Sequence, residues 1–412
     1  MSGTELHIAA LPFPSFQGTQ AAIRSMLEAR CTQGTRAELF TYGAAGYPWA
    51  PSFILHRGPD NARVALRSGP SWTKVLADLR MGARLPALCE RRRVRVLIAH
   101  HVEAMALACV MRGLPRIFFA HTDLAAELPS YAPQAYQRLL SAAGALTDRT
   151  LCAQAHAIAA ISPALRDALQ RRTQARVTYV PTPWRVPAPT QEGERKHARH
   201  QLGLREEAWV ALYAGNLDAY QDAEQTLNAL ARLATAGGPR VQLLLATNSP
   251  AGAFLARAHK LRVATRALPL VDEPLRRALH AAADLAIVPR ATPGGLPIKL
   301  LDAMARGLPC AITPLAAAGL TLSGHTEQAD TPGPSALADA VARLLTQLSA
   351  PERRSVLSER ARTYISTHHS VERFHAALDR VIEDARNHSD TEPRSGVNAR
   401  QTARPIAGYA LQ

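Results

Sequence analysis

The 412-residue chain has only five cysteines, scattered at Cys31, Cys89, Cys109, Cys152 and Cys310 with no CxxC pair. That argues against a disulfide framework and against a zinc site, and fits a reducing compartment such as the cytoplasm. Aromatic residues make up 5% of the chain, too few for a β-sandwich, while Ala, Leu and Arg abound, as in helices packed on parallel sheets. No window holds the roughly 18 uninterrupted apolar residues that span a bilayer. The opening MSGTELHIAALPFPS has no basic segment, and its short apolar run is broken by Pro12 and Pro14, unlike a signal peptide. There is no GxGxxG fingerprint for a dinucleotide. There is also no DxD anywhere, which removes the usual ligand pair for a divalent ion at a diphosphate.

Apolar residues make up 47% of the sequence, enough to bury more than one core, and the length favours two or three domains. The formal charge of +15, from 48 Lys and Arg against 33 Asp and Glu, implies anionic partners: nucleotide diphosphates, phospholipid head groups or nucleic acid. Nucleic acid is the weakest of these, since no zinc finger, RNP-type aromatic motif or compact basic stripe appears.

Short apolar strands alternate with longer helical stretches, the pattern of βαβ units on a parallel sheet. Strands are expected near 6–10, 37–42, 94–99, 116–120, 157–161 and 177–180. The segment 185–200, RVPAPTQEGERKHARH, is rich in proline and charge without a periodic apolar face and reads as a linker. The alternation then restarts with strands near 209–213, 241–246, 262–264, 285–288 and 310–313. The organisation expected is therefore a first domain over 1–184, the linker, a second domain over 201–370, a C-terminal helix over 371–386 that returns to the first domain, and a mobile tail over 387–412.

Three segments carry chemistry. Pro14 to Gln20 follows the first strand and opens a helix, where Gly18 lets backbone N–H groups approach an anion. His100, His101 and His121 stand at the C-terminal ends of two strands, the edge where open α/β sheets bind ligands, and an imidazole there can donate a hydrogen bond or exchange a proton. His, Glu and Asp gather here, yet ligands at paired helical or zinc-finger spacing are absent, so no metal is expected. The sharpest signal runs from Val288 to Pro309, VPRATPGGLPIKLLDAMARGLP. A strand ends in a Gly/Pro loop, the loop opens a helix, and Lys299 and Asp302 share one helical face. Gly294, Gly295 and Leu296 bring backbone N–H groups near a diphosphate, Arg290 and Lys299 neutralise it, and Asp302 accepts from ribose hydroxyls.

The run from Gly295 to Pro309 resembles the GxPxKxxExMAxGxP segment of the retaining glycosyltransferases of family 4, with Asp302 in place of the usual Glu. Leu11 to Gln20, and Tyr213 to Gln221 with its Gly215 and Asn216, are similar to a branch of that family. The resemblance covers most of residues 5–385. It implies the GT-B fold, two Rossmann-like parallel-sheet domains facing a cleft, with the acid at Asp302 on the donor's ribose and His121 beside the transferred sugar. Two departures stand out. Eight positions before Asp302, where common members carry a second Glu, stands Gly294; and Asn216 and Gln221 occupy the loop that usually holds an Arg and a Lys.

The function implied is transfer of a hexosyl group from a nucleoside diphosphate sugar to a glycan, lipid or small-molecule acceptor, with retention, without cofactor or metal, in the cytoplasm or at the anionic inner face of its membrane. A nucleotide-sugar epimerase and a non-catalytic sugar-nucleotide-binding subunit remain open, the second because of the absent carboxylate and loop cations.

Overall fold

The structure, a computed structural model, describes residues 3–15, 17–43, 51–58 and 72–391. Within them two separate parallel sheets form. The first holds β1 (Thr4–Ala9), β2 (Ala37–Thr41), β3 (Ile54–Arg57), β4 (Val94–His100), β5 (Arg116–Ala120), β6 (Ala157–Ala160) and β7 (Val177–Tyr179), in the order β3-β2-β1-β4-β5-β6-β7. The second holds β8 (Trp209–Ala214), β9 (Val241–Ala246), β10 (Thr265–Leu268), β11 (Leu285–Val288), β12 (Cys310–Ile312) and β13 (Glu327–Gln328), in the order β10-β9-β8-β11-β12-β13. Strands such as β1 and β5 are buried along their whole length because helices cover both faces. β5, RIFFA, accordingly reads as an apolar run, whereas β1, TELHIA, is as deeply buried while carrying Thr4, Glu5 and His7.

In each sheet the strand order reverses once, between β1 and β4 and between β8 and β11. A crevice opens beyond the strand ends at such a point, because the connections on either side leave in opposite directions. The two crevices face each other across a cleft of about 660 Å³, lined from one side by Gly18 and His121 and from the other by Gly215, Arg290, Lys299 and Asp302. One apolar core runs from Leu97 and Phe118 of the first sheet to Leu300 and Met304 of the helix Ile298–Ala305 and on to Phe374, so the cleft has a packed floor. A second core, around Tyr213, Leu243 and Leu344, lies behind the second sheet.

The structure departs from the sequence reading in four places. The strand expected near 262–264 is β10, three residues later, because the helix Gly252–Lys260 ends through Arg262 in the left-handed region, with φ 55°, before the chain extends. β3 and β13 are short, partly exposed edge strands with no apolar run to announce them. The segment 185–200 contains a helix, Glu192–Gln201. The Glu194 carboxylate accepts from the Gln191 backbone N–H at 3.1 Å, and Arg195 and Arg199 each reach Asp284 at 2.7 Å, so ions rather than an apolar stripe hold it. The C-terminal helix, Val371–Thr391, runs past the expected start of the tail at 387, and residues 392–412 of that tail lie outside the described residues. This helix packs on β5, β6 and β7, and Arg30 joins it to the first sheet by donating to Asp379 at 2.8 Å while its other nitrogens hold Glu5.

Candidate active site

On the wall formed by the first sheet, three imidazoles form a line. His7 in β1 and His100 at the end of β4 straddle the strand reversal, with His7 Nδ1 2.9 Å from His100 Nε2. His100 Nδ1 lies 2.8 Å from Nε2 of His121, which follows β5 and lines the cleft. His101 stacks on His121 at 4.6 Å between ring centres, held there by a backbone in the left-handed region at φ 70°. Burial pushes the pKa of His7 down to about 3, and those of His100 and His121 well below the usual imidazole value, the neighbouring rings adding to the effect for the last two. The line is therefore neutral at physiological pH. His7 Nε2 and His121 Nδ1, its two ends, have no hydrogen-bond partner. Gly18 opens the helix Gly18–Thr32 on the same wall, where a Cβ would stand 3.6 Å from Ile298 of the opposite one.

The wall formed by the second sheet is cationic. Gly215 follows β8 with φ 152°, and a Cβ there would stand 3.2 Å from Lys299 Nζ, so the absence of a side chain makes room for the ammonium. That ammonium lies 4.0 Å from the centre of the Tyr213 ring and has no hydrogen-bond partner. Burial, with Arg290 nearby, lowers the Lys299 pKa to about 7. Arg290 follows β11 and is buried; its Nε donates to the Thr292 carbonyl at 2.8 Å and its guanidinium lies 5.6 Å from the centre of the Tyr220 ring. Among the described residues no carboxylate pairs with Arg290 or Lys299, so two cations share one wall without a counter-ion. Asn216 donates to Asp218 at 2.7 Å, leaving its own carbonyl, like that of Gln221, buried and unpartnered at the cleft.

Gly294 answers the question its missing side chain raised. With φ 105°, a Cβ there would fall 2.8 Å from the Cβ of Asp123, and its carbonyl accepts from the Ser162 hydroxyl. Gly295 is as confined: a Cβ would sit 2.8 Å from Arg290 Nη2 and 2.9 Å from the His121 carbonyl oxygen. The loop thus presses its backbone against the first domain, leaving no space for a carboxylate at 294. Asp123 stands opposite, but Arg172 grips both its oxygens, at 2.7 and 3.1 Å. Leu296 is buried beneath the loop and lines the cleft.

Asp302 and Lys299 do line the cleft together from one helix. The Asp302 carboxylate, however, is surrounded: Arg276 Nε donates to it at 2.9 Å, Arg306 Nε at 3.2 Å, and His280 Nε2 lies 3.1 Å away. These neighbours hold its pKa well below the usual carboxylate range despite burial. Any ribose hydroxyl would share an acceptor that already serves three donors.

Residues 17–184 match the model of Glycosyltransferase Family 4, and residues 208–347 match that of glycosyl transferases group 1. The chain is a glycosyltransferase, with a family 4 domain followed by a group 1 domain. Solved structures agree on the GT-B architecture. Sucrose-phosphate synthase from Thermosynechococcus elongatus superposes with a TM-score of 0.75 at 16% identity, over 93% of this chain and 99% of that one. The Anabaena protein HepE in complex with UDP-glucose gives 0.70 at 14%, over 92% and 99%. The catalytic domain of starch synthase IV from Arabidopsis thaliana, bound to ADP and acarbose, gives 0.71 at 12%, over 95% and 100%. No curated protein matches the sequence. Among the described residues of this glycosyltransferase, no helix is long and apolar enough to cross a membrane.

Sequence reasoning missed Tyr213, Tyr220, Arg276 and His7. Tyr213 and His7 lie inside strands, where side chains alternate faces and only the register tells which ones meet the cleft. Arg276 sits in a helix whose surface is rich in arginine, so nothing local set it apart.

Proposed function

We propose that this glycosyltransferase moves a hexosyl group from a nucleoside diphosphate hexose to an acceptor hydroxyl, with retention at the anomeric carbon, and that the first donor to try is a UDP-hexose. The observation that carries the reading is the pair of cations in the cleft wall, Lys299 with no hydrogen-bond partner and Arg290 with no ion pair among the described residues. A buried cation without a counter-ion is costly, and a diphosphate placed between the two would remove that cost. As the bond from C1 to the diphosphate oxygen breaks, negative charge grows on the leaving group. Fixed cations in a closed cleft stabilise that charge more than they stabilise bound substrate. The acceptor oxygen takes C1 and its proton is released. His121 orients the sugar, and Asp302 receives the ribose. Protein cations supply the positive charge, so the reaction as proposed uses neither metal nor cofactor. The binding of UDP-glucose by HepE supports uridine as the base to test first, and retention rests on the family resemblance.

The test incubates the enzyme with labelled UDP-, ADP-, GDP- and TDP-hexoses in EDTA and follows sugar release or transfer. Turnover of at least one donor is expected, and its product should keep the donor's anomeric configuration. Absence of turnover and of nucleoside diphosphate binding across the panel would overturn the reading. Inversion would overturn retention alone.

A further inference from the structure

The line of three imidazoles has a property that none of its members has alone. A neutral histidine carries one N–H and one bare nitrogen, so a chain of hydrogen-bonded imidazoles admits only two arrangements. In the first, each ring is protonated at Nδ1: His7 donates to His100, His100 donates to His121, and His121 keeps an unpaired N–H at Nδ1. In the second, each ring is protonated at Nε2: His121 donates to His100, His100 donates to His7, and His121 offers a lone pair. The distances of 2.9 and 2.8 Å hold in both, and one ring cannot change without the others.

The ends decide between them. Each arrangement leaves one unpaired N–H and one unpaired lone pair, because His7 Nε2 and His121 Nδ1 both lack partners. A buried N–H without an acceptor is the more costly orphan. In the second arrangement it is trapped at His7, which is 1% exposed in the first domain's core. In the first it belongs to His121, whose Nδ1 is also buried but which, unlike His7, lines the cleft, the side from which a ligand oxygen would approach. The nearest charge acting on His7 is that of Arg30, ion-paired with Glu5, and it opposes any protonation of the buried ring.

We propose that His7 and His100 are positioning residues that fix His121 as a neutral Nδ1–H donor, so that the cleft selects a sugar oxygen able to accept a hydrogen bond at that point. This rests on the reading that His121 meets the transferred sugar. The buried rings do not touch substrate; they set the direction of one hydrogen bond from behind the sheet.

Nitrogen-15 histidine spectra of the whole, unliganded enzyme read the tautomers directly. Nδ1–H is expected for all three rings, and an Nε2–H or doubly protonated His121 would overturn the proposal. Substitution at His7 gives a second readout. His7→Asn keeps a donor at the Nδ1 position and should retain most of the wild-type kcat. His7→Asp offers only an acceptor there, forces the opposite arrangement, and should lower kcat by about tenfold or more while UDP affinity moves by less than about twofold. Equal kcat for the Asn and Asp variants in folded protein would also overturn it. An enzyme that turns over no donor would refute the function proposed above and leave the tautomer spectra still decisive. An active enzyme with His121 in the Nε2–H form would refute only this inference.

Discussion

The two strand reversals that face each other across the cleft solve the same problem in opposite ways. At β1 and β4 the buried polar groups are neutral rings that satisfy one another, with unpaired atoms only at the two ends. At β8 and β11 they are cations, Lys299 and Arg290, which repel each other and form no ion pair among the described residues, the charge of Glu127 acting on Arg290 only from beyond ion-pair range. The first crevice is nearly complete as folded. The second stores an electrostatic deficit that an anion removes, which is why the proposed function puts the diphosphate against the second domain and the uncharged sugar against the first.

The strongest way to break this comparison is to remove the deficit. Lys299→Ala and Arg290→Ala should each lower kcat/KM for the donor by about 10²- to 10³-fold and weaken UDP binding, because each charge acts on the diphosphate before and during departure. The double variant should lose less than the product of the single effects. Steady-state kinetics with calorimetric titration of UDP measures both, and unchanged UDP affinity in Lys299→Ala would remove the diphosphate from this wall.

The neutral wall should respond differently. His121→Ala is expected to reduce kcat by about 10²-fold with UDP affinity nearly intact if, as proposed, the ring meets the sugar and not the nucleotide. A variant that melts several degrees lower yet keeps its activity per folded molecule would make His121 a structural residue.

The smallest effect sharpens the contrast through pH. Lys299 has a folded pKa of about 7, below its unfolded value, so the unfolded chain binds more protons between the two. Stability from this group therefore rises with pH above about 7 until the unfolded lysine also deprotonates, and the penalty is fully present below pH 7. Donor binding runs the other way: a diphosphate needs the charged form, so UDP should bind more weakly above pH 7, by up to about tenfold per pH unit, with proton uptake. Calorimetry in buffers of different ionisation enthalpy reads that uptake, which should vanish in Lys299→Met. His121 variants should leave it unchanged.

Much of this was legible in the sequence. The βαβ alternation announced two parallel sheets because strands covered on both faces are mostly apolar. The segment from Gly294 to Asp302, read from its loop glycines and helix-borne lysine as an anion site, does bring Gly295, Lys299 and Asp302 to the cleft. Other features were hidden for identifiable reasons. The helix Glu192–Gln201 has no apolar periodicity since Asp284, some 80 positions later, supplies its anchor. Gly294 read as a lost carboxylate, whereas its neighbour is Asp123 from the other domain, a contact no local pattern records.

By itself, the sequence determined the fold class, the sheet edges that border the cleft, and the cationic character of the wall formed by the second sheet, because periodicity, glycine placement and charge are local properties. Only the tertiary structure decided that Lys299 and Arg290 form no ion pair among the described residues, that Asp302 is already shared by Arg276, Arg306 and His280, and that His7, His100 and His121 form one line. Those facts depend on burial and on distances between residues far apart in the chain. Burial turns an ordinary lysine into a site, and separation in sequence conceals which side chains share a hydrogen bond.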